Sequence, residues 1–327
     1  MIQVKKFILP CMLLALSSPS VASTRSVDQE DMQNFINEMT RQHKFEREEL
    51  EKLLGKAKIH QSILDAISRP AEAKPWYKYK TIFLNPARIK GGVKFWNNNA
   101  LTLKKASQKF GVPPEIMVAI IGVETRYGRH KGSFPVIDSL ATLAFAYPPR
   151  SEFFRGELKQ FLLMTREEKL DPTKQMGSYA GAMGMPQFIS SSFRNYAVDF
   201  DDDGFRDLWN NPADAIGSVG NYFKRHGWKK GKPVVAQVKT HGRRFKSLLG
   251  RDLKPQHSYK SLKKYGVQFQ KAYPSKLQGT LLEFDSGTKQ PEYWVGWQNF
   301  YVISRYNHSA HYSMAVYQLA QEIRKRR

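Results

Sequence analysis

The spacing of apolar residues predicts helices over most of the chain. In residues 28–69 they recur at intervals of three and four, which is the spacing of one buried helix face. Pro70 and Pro75 end this region, helical spacing resumes from Leu101 to about His226, and a last helix is predicted over Ser309–Arg324. The apolar face of the last helix is Met314, Tyr317, Ala320 and Ile323.

Two parts of the chain depart from this pattern. Trp76–Trp96 is rich in aromatic residues, glycine and asparagine, which predicts a connection. After Trp228 the stretches "KPVVAQVKT" and "LQGTLLEFD" read as short strands between turn-forming residues, so residues 229–295 are predicted to form a small β-rich insert. The predicted fold class is therefore α+β and mostly helical.

One glutamate interrupts the apolar side of a predicted helix. In "VPPEIMVAIIGVETRYGRH", Pro114 favours a helix start, and Glu124 follows Ile116 and Ile120 at helical spacing. Burial and the negative end of the helix dipole both raise the pKa of a carboxyl group. A carboxylic acid that stays protonated near neutral pH suits general acid catalysis. The alternative is a structural glutamate paired with Arg126 or with a distant arginine.

The first residues have the layout of a secretory signal peptide. Lys5 and Lys6 precede the ten-residue apolar run Phe7–Leu16, and small residues follow it. The run is too short to span a bilayer, which takes roughly 20 apolar residues. Residues 1–22 are therefore predicted to be removed, leaving an exported periplasmic chain without a transmembrane helix. Cys11, the single cysteine, lies inside the apolar run, so no lipid anchor is expected.

Positive charge dominates the composition. The chain has 52 Lys and Arg against 29 Asp and Glu, and the predicted cleavage removes Lys5 and Lys6, which leaves a net charge of +21. Such a field attracts anionic partners: nucleic acid, anionic lipid or an acidic wall polymer. Export argues against nucleic acid, and the sequence has no zinc-finger spacing, RNP-like strand or basic heptad helix.

The stretch "GSYAGAMGMPQFISSSF" predicts a turn that binds a ligand. Gly177, Gly181 and Gly184 let the backbone approach a ligand closely, and the Gln187 amide offers a donor and an acceptor to a sugar hydroxyl or N-acetyl group. Ser178 adds a hydroxyl. The alternative is a glycine-bearing turn that leads into a short serine-capped helix.

The stretch "DFDDDGFRDLWNNPAD" resembles the start of an EF-hand calcium loop. The twelfth position is Asn210 where an EF-hand has glutamate, and Asp214 could supply that carboxylate. Six aspartates in sixteen residues repel one another unless a cation or arginines compensate. The alternative is a solvated acidic turn, with Asp214 at the positive end of the next helix. The EF-hand-like positions are Asp199, Asp201, Asp203, Gly204 and, through its carbonyl, Phe205.

Four motifs together resemble the B-type lytic murein transglycosylases, bacterial enzymes with a lysozyme-like catalytic core. They are "IIGVETRYG", "GSYAGAMGMPQF", "NPADAIGSVGNYFKRHGW" and "NFYVISRYNHSAHYSMAVYQLAQ". The similarity runs from about Trp76 to Gln321. It implies a helical N-terminal region at residues 23–95 that packs with a C-terminal helix at 296–327, a lysozyme-like core at 96–228 and a small β-rich domain at 229–295.

The resemblance also implies roles for individual residues. The family's catalytic acid matches Glu124, and one of two neighbouring arginines matches Arg150, while the other is Pro149 here. No organic cofactor is implied, and the chain is one residue longer than the family pattern within its calcium loop. The matched substrate-binding positions are Tyr79, Ser178, Gln187, Phe188, Tyr222, Tyr306 and Asn307. The matched positions for structural Ca²⁺ are Asp199, Asp201, Asp203, Phe205 and Asp214.

The function expected from this resemblance is cleavage of peptidoglycan between N-acetylmuramic acid and N-acetylglucosamine. Glu124 would protonate the glycosidic oxygen and then, as a carboxylate, take the proton of the muramic C6 hydroxyl, which leaves a 1,6-anhydro sugar. Hydrolysing glycosidases need a second carboxylate. The sequence around Asp138 and Glu152 does not support either residue in that role. The alternatives are a hydrolytic muramidase, a non-catalytic peptidoglycan-binding protein or an exported nucleic-acid binder. Other cell-wall enzymes are candidate partners.

Overall fold

The computed structural model describes residues 28–68, 74–250, 252–288 and 290–327. The predicted signal peptide, Cys11 and Pro70 lie outside these ranges. Within them, no helix is both long enough and apolar enough to cross a membrane.

Helices dominate the described residues, and a single larger sheet accompanies them, which confirms the predicted α+β class. The helices are α1 (Gln29–His43), α2 (Arg47–Lys56), α3 (Gln61–Ile67), α4 (Trp76–Phe83), α5 (Pro86–Asn98), α6 (Ala100–Phe110), α7 (Pro114–Thr125), α8 (Val136–Phe145), α9 (Ser151–Glu167), α10 (Ser190–Tyr196), α11 (Pro212–Arg225), α12 (Tyr259–Lys264), α13 (Gln298–Ser304) and α14 (Ala310–Arg326). The strands are β1 (Phe134–Pro135), β2 (Met176–Gly177), β3 (Val235–Thr240), β4 (His257–Ser258), β5 (Val267–Phe269), β6 (Gln278–Phe284) and β7 (Glu292–Trp297).

Helix α7 lies at the centre of the helical part. All but two of its 12 residues are buried, because α5, α6, α11 and α14 pack around it. A helix that is apolar on every side is stable only in such surroundings. Pro114 begins the helix, and Arg126 ends it in the left-handed conformation, with its N–H bonded to the carbonyl of Gly122. The last turn, which carries Glu124, is therefore fixed inside the helical core.

Two helix glycines leave room for side chains that pack closely against them. A Cβ at Gly122 would lie 2.6 Å from the ring of Tyr127, and one at Gly92 would lie 2.3 Å from Cδ1 of Ile323. The Tyr127 hydroxyl donates to the carbonyl of Arg88 at 2.8 Å, so the ring cannot move aside without losing that bond. Glycine at these helix positions serves close packing.

The expectation of a connection over Trp76–Trp96 is wrong, because this stretch forms α4 and most of α5. The Asn85 side chain accepts from the N–H of Arg88 at 3.0 Å, and Pro86 occupies the first helical position. This cap starts a new helix directly after α4. The glycines that suggested a loop are the ones that allow close packing.

The predicted strands of the β-rich insert are observed as β3 and β6. They belong to an antiparallel five-stranded sheet with the order β4-β6-β7-β3-β5, in which β7 is central. One face of the sheet contacts α4, α13 and α14 through an apolar cluster that includes Trp76, Phe284, Phe300 and Met314. Helix α14 therefore contacts both the sheet and α7, and α4 and α5 pack against it as well.

Candidate active site

Glu124 lies in the last turn of α7, and its side chain is half-buried. Its Oε1 accepts a hydrogen bond from the hydroxyl of Tyr312 in α14. No ion pair within the described ranges includes Glu124, and Arg126 is exposed. The geometry therefore does not support the alternative of a structural glutamate paired with Arg126.

The surroundings of Glu124 place its ionisation near neutral pH. Burial raises the pKa of Glu124 to about 7, while the hydrogen bond from Tyr312 lowers it by stabilising the carboxylate. Near neutral pH both the acid and the carboxylate are populated. One side chain can thus donate a proton and later take one back.

Two tyrosines adjoin this carboxyl group. Burial and the nearby Glu124 raise the pKa of both Tyr306 and Tyr312 well above the usual range, so both remain protonated. The Tyr306 hydroxyl donates to the carbonyl of Pro186 at 2.6 Å. Tyr312 therefore acts as a neutral donor to Glu124, and Tyr306 connects this group to the predicted ligand-binding turn.

Three of the predicted substrate-binding residues form an aromatic cluster beside Glu124. The ring centroids of Tyr222 and Tyr306 are 4.8 Å apart, and Phe188 lies 5.7 Å from the first and 5.9 Å from the second. Phe188 is only 2% exposed, so it offers little of its ring to a ligand, and its substrate-binding role stays a prediction. The Phe188 ring packs against Tyr306, which is itself half-buried.

The glycine-bearing turn is attached to the end of α7. The Thr125 hydroxyl, one residue after the acid, donates to the carbonyl of Met185 at 2.8 Å. Gln187 has a left-handed backbone, and its Nε2 donates to the carbonyls of Gly184 at 3.0 Å and Lys131 at 3.1 Å. The amide is thereby oriented, and its oxygen remains an acceptor for a ligand.

The other predicted substrate-binding residues differ in their burial and in their contacts. The Ser178 hydroxyl oxygen accepts from the N–H of Ala182 at 3.0 Å, which closes its turn. Tyr79 is buried in α4 and lies close enough to Tyr312 to raise its pKa. Asn307 is exposed next to Tyr306. Arg150 is exposed and lies over the Phe153 ring at 4.5 Å, and no contact within the described residues joins it to Glu124.

The three predicted metal ligands Asp199, Asp201 and Asp203 converge. Each offers one carboxylate oxygen, and these oxygens lie within 4.8 Å of one another. That separation suits Ca²⁺, whose oxygen ligands lie at 2.3–2.6 Å from the ion. Gly204 has a φ of 93°, and its N–H donates to Asp199 at 2.8 Å, so the loop already has a turn that only glycine adopts readily. The donor set fits a calcium ion.

Asp214 has a different position from these three. It is fully buried, and its two carboxylate oxygens accept from the N–H of Phe200 at 2.7 Å and from that of Asp207 at 2.8 Å. Its pKa is raised to about 6, mainly by burial and to a smaller extent by Asp201 and Asp199, while the hydrogen bonds from Phe200 and Asp207 lower it. Asp214 thus holds together the two ends of the loop. A ligand role for Asp214 and for the carbonyl of Phe205 stays a prediction.

The sequence analysis did not identify Tyr312 or Thr125 as site residues. Tyr312 shares one helix face with Val316, Leu319 and Ile323, so the apolar spacing of α14 does place it on the buried side. Its partner lies 188 residues away along the chain, however, and spacing carries no information about such a contact.

A comparison with protein families identifies the family to which this chain belongs. A family model described as Transglycosylase SLT domain matches residues 27–321, which include Glu124, the aromatic cluster and the aspartate loop. The chain belongs to this transglycosylase family. It is an enzyme that acts on peptidoglycan, as the resemblance implied.

The transglycosylase is similar to characterised relatives over nearly its whole length. It is 45% identical over 301 residues to membrane-bound lytic murein transglycosylase B of Escherichia coli K12, covering 89% of this chain and 82% of the relative. Soluble lytic transglycosylase SltB1 from Pseudomonas aeruginosa is 51% identical, with a TM-score of 0.86 over 90% of this chain and 98% of that chain. These relatives confirm the lysozyme-like fold expected for the transglycosylase.

Two solved relatives contain ligands. Escherichia coli Slt35 was solved in complex with calcium and is 45% identical, with a TM-score of 0.84 over 91% of this chain and 93% of that chain. Pseudomonas aeruginosa SltB3, solved with NAG-anhNAM-pentapeptide, is 30% identical, with a TM-score of 0.79 over 90% of this chain and 79% of that chain. Relatives of the transglycosylase therefore bind calcium and peptidoglycan fragments.

Replacing Tyr312 by phenylalanine should shift the pH dependence of the transglycosylase. The hydrogen bond from Tyr312 lowers the pKa of Glu124, so its loss raises that pKa and keeps the acid protonated to higher pH. The alkaline fall of kcat/KM should move upward by about one to two pH units, since a hydrogen bond to a charged group is worth about 1.5–3 kcal/mol and one unit of pKa corresponds to about 1.4 kcal/mol. Turnover measured across pH, with Tyr317→Phe on the same helix as the control, tests this. An unchanged alkaline limb in Tyr312→Phe would contradict it.

Proposed function

We propose that the enzyme cleaves the β-1,4 bond between N-acetylmuramic acid and N-acetylglucosamine and leaves a 1,6-anhydro-N-acetylmuramic end. The observation that carries this proposal is the surroundings of Glu124: a half-buried carboxyl group with a pKa of about 7, no ion pair within the described residues and one neutral hydroxyl as donor. Such a group suits both an acid and a base role in one reaction cycle.

The reaction requires two proton transfers through Glu124. In the first, protonated Glu124 donates to the glycosidic oxygen while the bond from that oxygen to the muramic C1 breaks, and positive charge develops at C1. In the second, the Glu124 carboxylate takes the proton of the C6 hydroxyl while its oxygen bonds to C1. The sum is one bond broken, one formed and Glu124 returned to its protonated state, with no water consumed.

The positions of the other acids favour this internal reaction over hydrolysis. A hydrolysing glycosidase needs a second carboxylate near the bond, either to activate water or to attack C1. Asp138 lies 3.0 Å from Nε2 of His60 and accepts from the N–H of Lys58, so it is engaged elsewhere. Glu152 is exposed in the first turn of α9. The anhydro sugar in the ligand of SltB3 supports the same product class here.

The substrate would be oriented by polar groups around the acid. The Oε1 acceptor of Gln187 suits an N-acetyl N–H or a sugar hydroxyl, because both hydrogen bonds assigned to this amide use Nε2. Tyr306 offers the edge of a ring beside Glu124, and Asn307 and Ser178 add polar atoms. We assign Tyr79 and Tyr222 to the support of this surface, since both are buried. We assign Arg150 to contacts with more distant parts of the glycan or with its peptide.

We also propose that the protein acts in the periplasm after export. The murein substrate of its relatives requires access to the cell wall. The apolar run Phe7–Leu16 provides the export signal, although these residues lie outside the described ranges. A lipid anchor is not part of this proposal.

The aspartate loop is proposed to bind structural Ca²⁺ through Asp199, Asp201 and Asp203, with Asp214 and the carbonyl of Phe205 completing the site. When bound, the ion would neutralise the repulsion among carboxylates that converge within 4.8 Å. The loop is anchored to α11 through Asp214, and α11 carries Tyr222 of the aromatic cluster. The calcium complex of Slt35 supports this assignment.

Digestion of isolated peptidoglycan should yield fragments ending in 1,6-anhydro-N-acetylmuramic acid. Each should be one water lighter than the hydrolysis product, with no new reducing ends formed as the bonds are cleaved, and mass spectrometry with a reducing-end assay measures both. Glu124→Gln should lose about 10²–10⁴-fold in turnover because the amide cannot donate the proton. Glu152→Gln serves as the control and should keep its turnover. Mainly reducing muramic ends would make the enzyme a hydrolase and refute the proposal.

Ca²⁺ should raise the melting temperature of the chelated protein by mass action. Mg²⁺ should do so less, because it demands a small octahedral shell and dehydrates reluctantly. Asp201→Asn removes one converging carboxylate and should abolish most of the calcium response in a thermal melt. Asp202→Asn changes the same loop outside the converging group and should keep the response. Equal melting temperatures with and without Ca²⁺ in the unmodified protein would favour the solvated acidic turn.

A further inference from the structure

A small pocket beside the end of α7 is lined by three arginines. It has a volume of about 170 Å³ and lies between the start of α5 and the turn that follows α7. Arg88 comes from α5, while Arg126 and Arg129 come from the turn, and Tyr127 and Asn85 complete much of the wall. The pocket has not entered the proposed reaction, because none of these residues forms a hydrogen bond with Glu124 or alters its pKa.

Arg88 is the innermost of the three. It is only 7% exposed, and its Nη1 donates to the carbonyls of Gly122 and Val123 in the last turns of α7. Its other two nitrogens donate to no acceptor among the described residues, and its guanidinium carbon lies 5.1 Å from the centroid of the Phe83 ring. The side chain therefore keeps donors for a group that enters the pocket.

The positive charge of the pocket is not paired with a carboxylate in the described part of the chain. None of the ion pairs found in the described part of the chain includes Arg88, Arg126 or Arg129. Burial lowers the pKa of Arg88, and the nearby Arg126 lowers it further, which shows that the two charges repel each other. Like charges this close repel one another, and an anion between them would relieve that repulsion.

The backbone holds the arginines in place. Arg126 and Tyr127 both have left-handed backbones, with φ of 50° and 64°, a conformation that non-glycine residues adopt only when their surroundings fix it. Here the surroundings are the hydrogen bonds from the N–H of Arg126 to Gly122 and from the Tyr127 hydroxyl to the carbonyl of Arg88. The positions of Arg88 and Arg126 are therefore coupled through one tyrosine.

We infer that this pocket binds a small dianionic oxyanion of the phosphate or sulfate type. Guanidinium groups bind the oxygens of such anions through pairs of charge-assisted hydrogen bonds, and three of them around about 170 Å³ leave room for one tetrahedral group. A carboxylate would leave more of the charge of Arg88, Arg126 and Arg129 uncompensated. The site is separate from the glycan-cleaving residues, so its existence does not depend on the proposed reaction.

Phosphate and sulfate binding to the full folded protein tests this inference. At about pH 7.5, either anion should raise the melting temperature more than sodium chloride of the same ionic strength, because it binds the folded state alone. Titration calorimetry with sodium phosphate should give a matching saturable signal. The same titration with glycerol 3-phosphate compares a free anion with a phosphoryl group on a larger molecule. Tighter binding of the ester indicates a phosphorylated molecule as the natural ligand, and equal binding indicates the free anion.

Matched substitutions distinguish a specific anion-binding site from the general attraction of anions to a basic protein. Arg126→Gln and Arg129→Gln alter exposed side chains and should each weaken phosphate binding about tenfold or more, through loss of one charge-assisted pair. Lys90→Gln removes an equal charge from an exposed position on α5 outside the pocket and should leave binding unchanged. Equal responses to phosphate and chloride, or equal weakening in all three variants, would overturn the inference.

Discussion

The proposed chemistry of this enzyme depends on the contact between the last turn of α7 and α14. Glu124 is half-buried there, and the only described side chain that donates a hydrogen bond to it is the neutral Tyr312. An arginine in the place of Tyr312 would hold the carboxylate ionised, and full exposure would return the pKa to its ordinary value. Burial with a single neutral donor places the pKa near 7 and allows the same oxygen atoms to give and take a proton.

Much of the fold serves to maintain that contact. Gly92 and Gly122 let α5 and α7 approach their neighbours, and α14 is held on its other side by α4 and the sheet. The Thr125 hydroxyl ties the glycine-bearing turn to α7 one residue after the acid. The buried Asp214 then connects the aspartate loop to α11 and thereby to Tyr222.

The sequence predicted features that depend on residues close together in the chain, and it did not predict contacts between distant residues. The helical spacing around Glu124 and the alternation of aspartates from Asp199 to Asp203 predicted a buried acid and a set of converging carboxylates, because both depend on residues close in the chain. The stretch that became α4 and α5 was mistaken for a connection, since glycines that serve helix packing look the same as glycines in a loop. The Tyr312 contact and the arginine pocket join residues far apart in the chain, and no local pattern reports such contacts. The resemblance matched Phe188 to a substrate-binding position, yet only the packed structure reveals that Tyr222 and Tyr306 pack against its ring.

The most direct test of this account is a titration of Glu124 itself. The side-chain carboxyl carbon of Glu124 can be followed by ¹³C NMR from acid to alkaline pH in protein labelled at glutamate, with Glu124→Gln used to assign the signal. The account predicts a midpoint at about 7 in the folded protein, because burial outweighs the hydrogen bond from Tyr312. A midpoint near 4.5, the ordinary value for glutamate, would mean that the group is ionised at neutral pH and would contradict its proposed role as the acid.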